Sequence, residues 1–160
     1  MNKHTVLQRI VEKLQVDLDV AVRAAQTAYE TATHEENIAE NKYDTLGLEA
    51  SYLAAGQARR VEEIRQSLSL CRHLVLKPFD EQRGIQTGDL VALRADNGAE
   101  QLLFLGPDAA GLKITADEHV ITVITARSPL GQHLLGKLDG DEVEVVVNGS
   151  RQSFEITQIL

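Results

Sequence analysis

Five carboxylates, Glu35, Glu36, Glu40, Asp44 and Glu49, fall close together in the sequence, and from His34 to Glu49 only Lys42 opposes them. Carboxylate oxygens at that density are hard ligands. On a turn they suit a divalent cation such as Mg²⁺ when a second molecule supplies the remaining ligands. The same residues also have ordinary uses, because an Asp at a helix boundary caps the next helix and glutamates normally face solvent. Both readings stand on composition and spacing.

Other reactive side chains are scattered. The five histidines, His4, His34, His73, His119 and His133, make no metal-ligand spacing with each other or with Cys71, so a zinc site is not expected. Cys71 has no partner cysteine and reads as a small core residue. Phosphate-cradling GxxxxGK[ST], dinucleotide GxGxxG and hydrolase GxSxG patterns are all missing from the sequence. Ser128, followed by Pro129, fits a helix cap better than a nucleophile.

Sixteen Lys and Arg against 24 Asp and Glu give a net charge of −8, which argues against binding nucleic acid by phosphate neutralisation. An aromatic content of 4% argues against a base-stacking platform. Hydrophobic residues make up 43% of the chain, enough for a core, while no apolar run approaches the ~18 residues of a membrane span. A cytoplasmic protein without membrane association is the expectation.

The elements that would position the carboxylates differ on the two sides of Lys77. Only Gly47 and Gly56 precede it, whereas nine of the eleven glycines and all three prolines follow. Helices before and strands with turns after are the consequence. Leu7, Ile10, Leu14, Leu18, Ala21, Ala25, Ala28 and Ala32 recur at steps of three and four, predicting a helix over about 5–41. Ala50, Ala54, Val61, Ile64, Leu68, Cys71 and Val75 repeat that spacing and predict a second helix over about 48–75. Two long helices with one apolar stripe each pair as an antiparallel coiled-coil hairpin, its turn at Gly47. Leucine and isoleucine at the base and alanine toward Gly47 predict a thin far end.

Pro78, Gly84 and Gly88 mark a linker over 77–88. Beyond it the runs DLVALR, QLLFLG, HVITVIT, EVEVVVNG and SFEITQIL, bounded by turn signals, predict an antiparallel sheet. Ser128 as cap and Pro129 at the first turn predict one short helix closed by Gly136. The fold class is α+β, with a coiled-coil hairpin over 1–76 and a sheet domain over 89–160. Leu90, Leu102, Val123, Leu134, Val145 and Ile156 are its expected core.

The stretch from Ile121 to Ile159, with its strand, "SPLG…LLGK", acidic Gly turn and two closing strands, resembles the C-terminal signature of the bacterial Gre transcript-cleavage factors and their paralogues. The string ASYLAA, Ala50 to Ala55, resembles that family's Ala-x-Tyr-x-Ala-Ala segment just beyond the coil tip. The resemblance implies a C-terminal domain of FKBP-like fold. It implies bacterial RNA polymerase as partner, with DNA and RNA of the elongation complex reached only through the polymerase. The coil then enters the polymerase secondary channel, and two acidic tip residues help hold a Mg²⁺ shared with the polymerase active site. No stably bound cofactor and no enzymatic activity of the chain's own are implied, since any RNA cleavage belongs to the polymerase.

Carried over residue by residue, the tip departs from the family's pattern of an Asp, two residues and a Glu. Counted back from Ala50 without a gap, the acidic positions fall on Thr45 and Leu48; with a turn longer by one residue they fall on Asp44 and Gly47. Asp44 and Glu49 are the nearest carboxylates and the candidate Mg²⁺-coordinating pair. Leu46 and Gly47 at the turn, with Ser128, Pro129, Leu130, Gly131, Gly136 and Lys137 on the sheet domain, are the candidate polymerase-binding residues. A non-cleaving channel regulator that competes with Gre factors is the alternative. A coiled-coil adaptor unrelated to transcription is what the fold pattern alone allows.

Overall fold

A computed structural model describes residues 1–34 and 46–160, with the backbone alone at residues 46, 47 and 50. Its element order is two long helices, four strands, a short helix and two further strands. The elements are α1 (Lys3–Thr33), α2 (Leu46–His73), β1 (Leu90–Ala95), β2 (Glu100–Gly106), β3 (Lys113–Ala116), β4 (His119–Thr125), α3 (Pro129–Leu134), β5 (Glu142–Val147) and β6 (Ser150–Ile159). Contacts divide the chain into two compact units, Lys13–Leu68 and Met1–Glu12 with Ser69–Leu160.

In the helical unit, α1 buries Leu14, Ala21 and Ala28, and half-buries Leu18, Ala25 and Ala32. Each set repeats every seven residues, and the two alternate at steps of four and three, which is the seam of a coiled coil. Val61, Ile64 and Leu68 supply the buried face of α2. Small residues occupy the distal part of α1 and Ala54 the corresponding part of α2. Close backbone approach there comes at the expense of apolar area.

Three expectations about the helices change. Val6, fully buried, takes the position assigned to Leu7, which is half-buried. Val75 lies outside the seam and is 72% exposed, because α2 stops at His73. Gly47 does not form the turn: α2 already begins at Leu46. A glycine costs about 1 kcal/mol against alanine inside a helix. The first turn, whose N–H groups lack intrahelical partners in any case, tolerates it.

The sheet unit is a six-stranded mixed sheet of order β3-β4-β2-β1-β6-β5. All pairings are antiparallel except β2 with β4, which run parallel from Leu102↔Ile121 to Gly106↔Thr125. The sequence runs predict five strands and a purely antiparallel sheet. The difference comes from β3, four residues long, which turns into β4 through Asp117 and Glu118, both at positive φ. That hairpin turn contains no glycine, so its usual signal is missing. With β3 inserted as a returning strand, β4 must run in the direction of β2.

One face of the sheet carries the main core of Ile85, Val91, Leu93, Leu103, Leu105, Leu134, Val143, Ile156 and Ile159. Of the residues expected inside, Leu90, Val123, Leu134, Val145 and Ile156 are buried and Leu102 is half-buried. Strand β6 carries a bulge opposite Ala92 and Leu93. The Thr157 hydroxyl donates to the Ala92 carbonyl at 3.2 Å across it.

The stretch between α2 and β1 has no regular secondary structure, yet it is not a slack tether. Ile85 is fully buried in the core. Its N–H donates to the Lys137 carbonyl at 2.9 Å, and its own carbonyl accepts from Gly136 N–H at 2.9 Å. Gly84 and Gly136 both hold positive φ, and a Cβ on Gly84 would lie 2.2 Å from the Gly136 carbonyl oxygen. Glycine is therefore required at Gly84 by conformation and by space together.

Candidate functional site

The candidate residues divide between the first turns of α2 and the loop and helix after β4. Asp44 lies outside the described residues, as do Glu35, Glu36 and Glu40. Glu49 stands in the first turn of α2 and is exposed. A carboxylate there complements the positive end of the helix dipole, worth about 0.3–1 kcal/mol. Leu46 and Gly47 belong to the same helical turn. Among the described residues, no group of three or more His, Cys, Asp or Glu side chains is arranged to hold a metal.

Large apolar side chains project from the distal part of the helical unit. Leu48, Tyr52 and Leu53 are 53%, 68% and 58% exposed, and Tyr29 on α1 is 61% exposed. Tyr29, Val22 and Ala25 from α1 share a shallow groove with Ala54, Ala58 and Val61 from α2. Solvated tyrosines and leucines at that density are costly unless something covers them. The sequence places ASYLAA on a helix, but Tyr52 and Leu53 lie off its seam. The available signal was large apolar residues set among alanines and outside the heptad positions.

After β4, the segment from Ser128 is fixed by backbone contacts. Pro129 opens α3 as expected, but the Ser128 side chain does not cap it. Its Oγ instead turns back and accepts from Thr125 N–H at 3.1 Å, with Thr125 Oγ1 at 3.3 Å. The N–H of Gln132 goes to the Ser128 carbonyl at 2.9 Å, so the backbone closes the turn without the hydroxyl. Gly131 is buried so close to β4 that a Cβ would stand 1.9 Å from the Thr125 carbonyl oxygen.

The result is a rigid platform. Leu134 is fully buried and Leu130 half-buried beneath it, whereas Pro129, His133, Leu135, Gly136, Lys137 and Leu138 face solvent. Within Ser128 to Lys137, Gly131 is thereby a packing residue, and Pro129 and Lys137 are available to a partner.

Cys71 is buried in α2, and its thiol is pushed up to about 11, first by desolvation and second by the negative charge of Asp108. A thiol so protonated is a poor nucleophile, in keeping with its reading as a core residue. No described helix is long and apolar enough to cross a membrane.

No protein-family model matches the chain. The GreA transcription elongation factor of Syntrophus aciditrophicus is 26% identical over 99% of this chain and 96% of its own length. That of Paracoccus denitrificans is 28% identical over 89% of this chain and 90% of its own. Among solved structures, the GreA factor homolog 1 protein of Thermus thermophilus is 20% identical, covers 94% of each chain and superposes with a TM-score of 0.39.

Proposed function

Because the chain is a divergent GreA/GreB-like factor, we propose that it binds bacterial RNA polymerase and acts on transcription elongation, with its helical hairpin entering the secondary channel. The supporting observation is similarity to GreA factors along 99% of the chain, which takes in the helical and the sheet portions alike. Exposed Leu48, Tyr52 and Leu53 on α2 suit a helical end that meets another macromolecule. Nucleic acid is reached only through the polymerase, in keeping with the net charge of −8.

Within that reading, the chain's own residues bind and position, and any hydrolysis is chemistry of the polymerase centre. Asp44 and Glu49 would help hold a Mg²⁺ shared with that centre, and the ion would supply Lewis-acid chemistry toward phosphate and water there. Of this candidate pair, Glu49 stands in the first turn of α2, and Asp44 lies outside the described residues.

One observation favours the non-cleaving alternative. On the gapless count from Ala50, Leu48, half-exposed in the first turn of α2, takes the place of the family's second acidic residue. An apolar side chain contributes contact area there and no ligand.

Retention of core polymerase by the immobilised chain at physiological salt tests the first proposal, and its absence would remove it. Adding the chain to a stalled, backtracked elongation complex separates the two roles. Shortened transcripts that disappear with Asp44→Ala, while binding persists, assign cleavage to the tip. An absence of shortened transcripts together with inhibition of an authentic Gre factor assigns the regulatory role.

A further inference from the structure

The connection between α2 and β1 borders a groove of about 490 Å³ lined by Val75, Lys77, Pro78, Arg83, Thr87 and Asp89, among others. Its charges are unequal in what they have left to offer. Both oxygens of Asp89 are engaged, Oδ1 by Lys3 Nζ at 2.9 Å and Oδ2 by Gln86 N–H at 2.8 Å. Asp80, also lining the groove, accepts from Gln82 N–H at 2.9 Å through Oδ1. The ammonium of Lys77 and the guanidinium of Arg83 have no ion pair or hydrogen bond among the described residues. In a sequence of net charge −8 the groove therefore presents unused cationic donors.

The apolar part of the lining is equally unsatisfied. Val75 is 72% exposed, and Pro78 is exposed beside it. Arg83 is held on a turn whose backbone is fixed by Arg83 N–H and Gly84 N–H, both donating to the Asp80 carbonyl. A planar guanidinium fork suits a carboxylate. An apolar wall next to it suits the side chain adjacent to that carboxylate.

We propose that this groove binds an acidic peptide segment of a partner protein, with a carboxylate on Arg83 and Lys77 and a neighbouring apolar side chain against Val75 and Pro78. A peptide is favoured over nucleic acid because the remainder of residues 77–160 is acidic, with 13 Asp and Glu against 7 Lys and Arg in that half, and repels a continuous polyphosphate. A peptide carries one or two charges and brings apolar contact that a phosphate chain lacks. The proposal stands independently of the polymerase reading.

The test follows the amide NMR spectrum of the full chain titrated with a short blocked peptide of alternating glutamate and leucine, with inorganic phosphate, and with a uridine oligonucleotide. Saturable shifts confined to residues 75–89 with the peptide, weakened at least about tenfold in both Arg83→Glu and Lys77→Glu, are the expected result. Both side chains are exposed and unpaired, so these variants should keep the wild-type spectrum elsewhere. Equal response to phosphate, stronger response to the oligonucleotide, no shift in this segment, or shifts unaffected by the two substitutions would each overturn it.

Discussion

Lys3 Nζ lies 2.9 Å from Asp89 Oδ1, with both side chains close to fully buried, joining the first turn of α1 to the residue that precedes β1. The same ammonium donates to the Lys77 carbonyl. The start of α1 and two points of the connection between α2 and β1 therefore meet at one cation. Exposed ion pairs contribute little, but removal of one member of a buried pair leaves a charge without compensation.

Lys3→Ala is expected to lower unfolding stability by about 3 kcal/mol. The surface variant Arg9→Ala, which loses only an exposed pair with Glu12, should change it by less than about 1 kcal/mol. Urea unfolding of the three proteins checks the contrast, and equal effects would show that Lys3 does not compensate Asp89.

Cys71 makes stability depend on alkaline pH. Its folded value of about 11 lies above its ordinary value of 9.0, so the folded state holds the thiol proton more tightly than the unfolded chain. The stabilisation is fully present below pH 9 and declines as pH rises toward 11, by about 2–3 kcal/mol in all. Cys71→Ala should flatten that part of the pH profile in denaturant titrations. Native protein at pH 8 should also resist a thiol reagent that modifies the unfolded chain.

Two glycines with opposite surroundings give a steric prediction. Gly131→Ala drives a methyl group into the Thr125 carbonyl and is expected to cost more than about 3 kcal/mol. Gly98 instead has positive φ with open space around it, so Gly98→Ala should cost only about 1 kcal/mol. Thermal melts of the two variants distinguish collision from backbone strain.

Ser128→Ala reports on what the hydroxyl does. It should cost about 1 kcal/mol and increase amide exchange at Thr125, whose N–H loses its acceptor, while exchange at Gln132 stays unchanged. An increase at the first amides of α3 instead would restore the capping role.

Leu48→Asp and Tyr52→Ser are expected to weaken retention of core polymerase at least about tenfold without altering the melting temperature, since both side chains are exposed. Unchanged retention would direct attention away from this turn of α2.

The helices and most of the core were legible because their signal is periodic: Leu14, Ala21 and Ala28 repeat every seven residues, and Ile64, Leu68 and Cys71 keep the same face. The parallel β2–β4 pairing was not, because it depends on β3, a four-residue strand whose turn uses Asp117 and Glu118 at positive φ where glycine is the usual sign. Ser128 misled for a related reason. Its sequence position is that of a cap, but Thr125, three residues earlier, competes for the same hydroxyl. The cationic groove was hidden too, because which of Lys77, Arg83, Asp80 and Asp89 are already occupied depends on contacts as distant as Lys3.

The central position of β1, between β2 and β6, has a further consequence for how the protein is made. β2 leaves the ribosome almost at once after β1, but β6 begins only at Ser150. At synthesis rates of about 5–20 residues per second, one flank of the apolar LVALRA strand waits several seconds for its partner. For that interval the nascent chain displays an unpaired hydrogen-bonding edge, and crowded translation or a slow codon run between β1 and β6 would extend the period in which a neighbouring chain can occupy it.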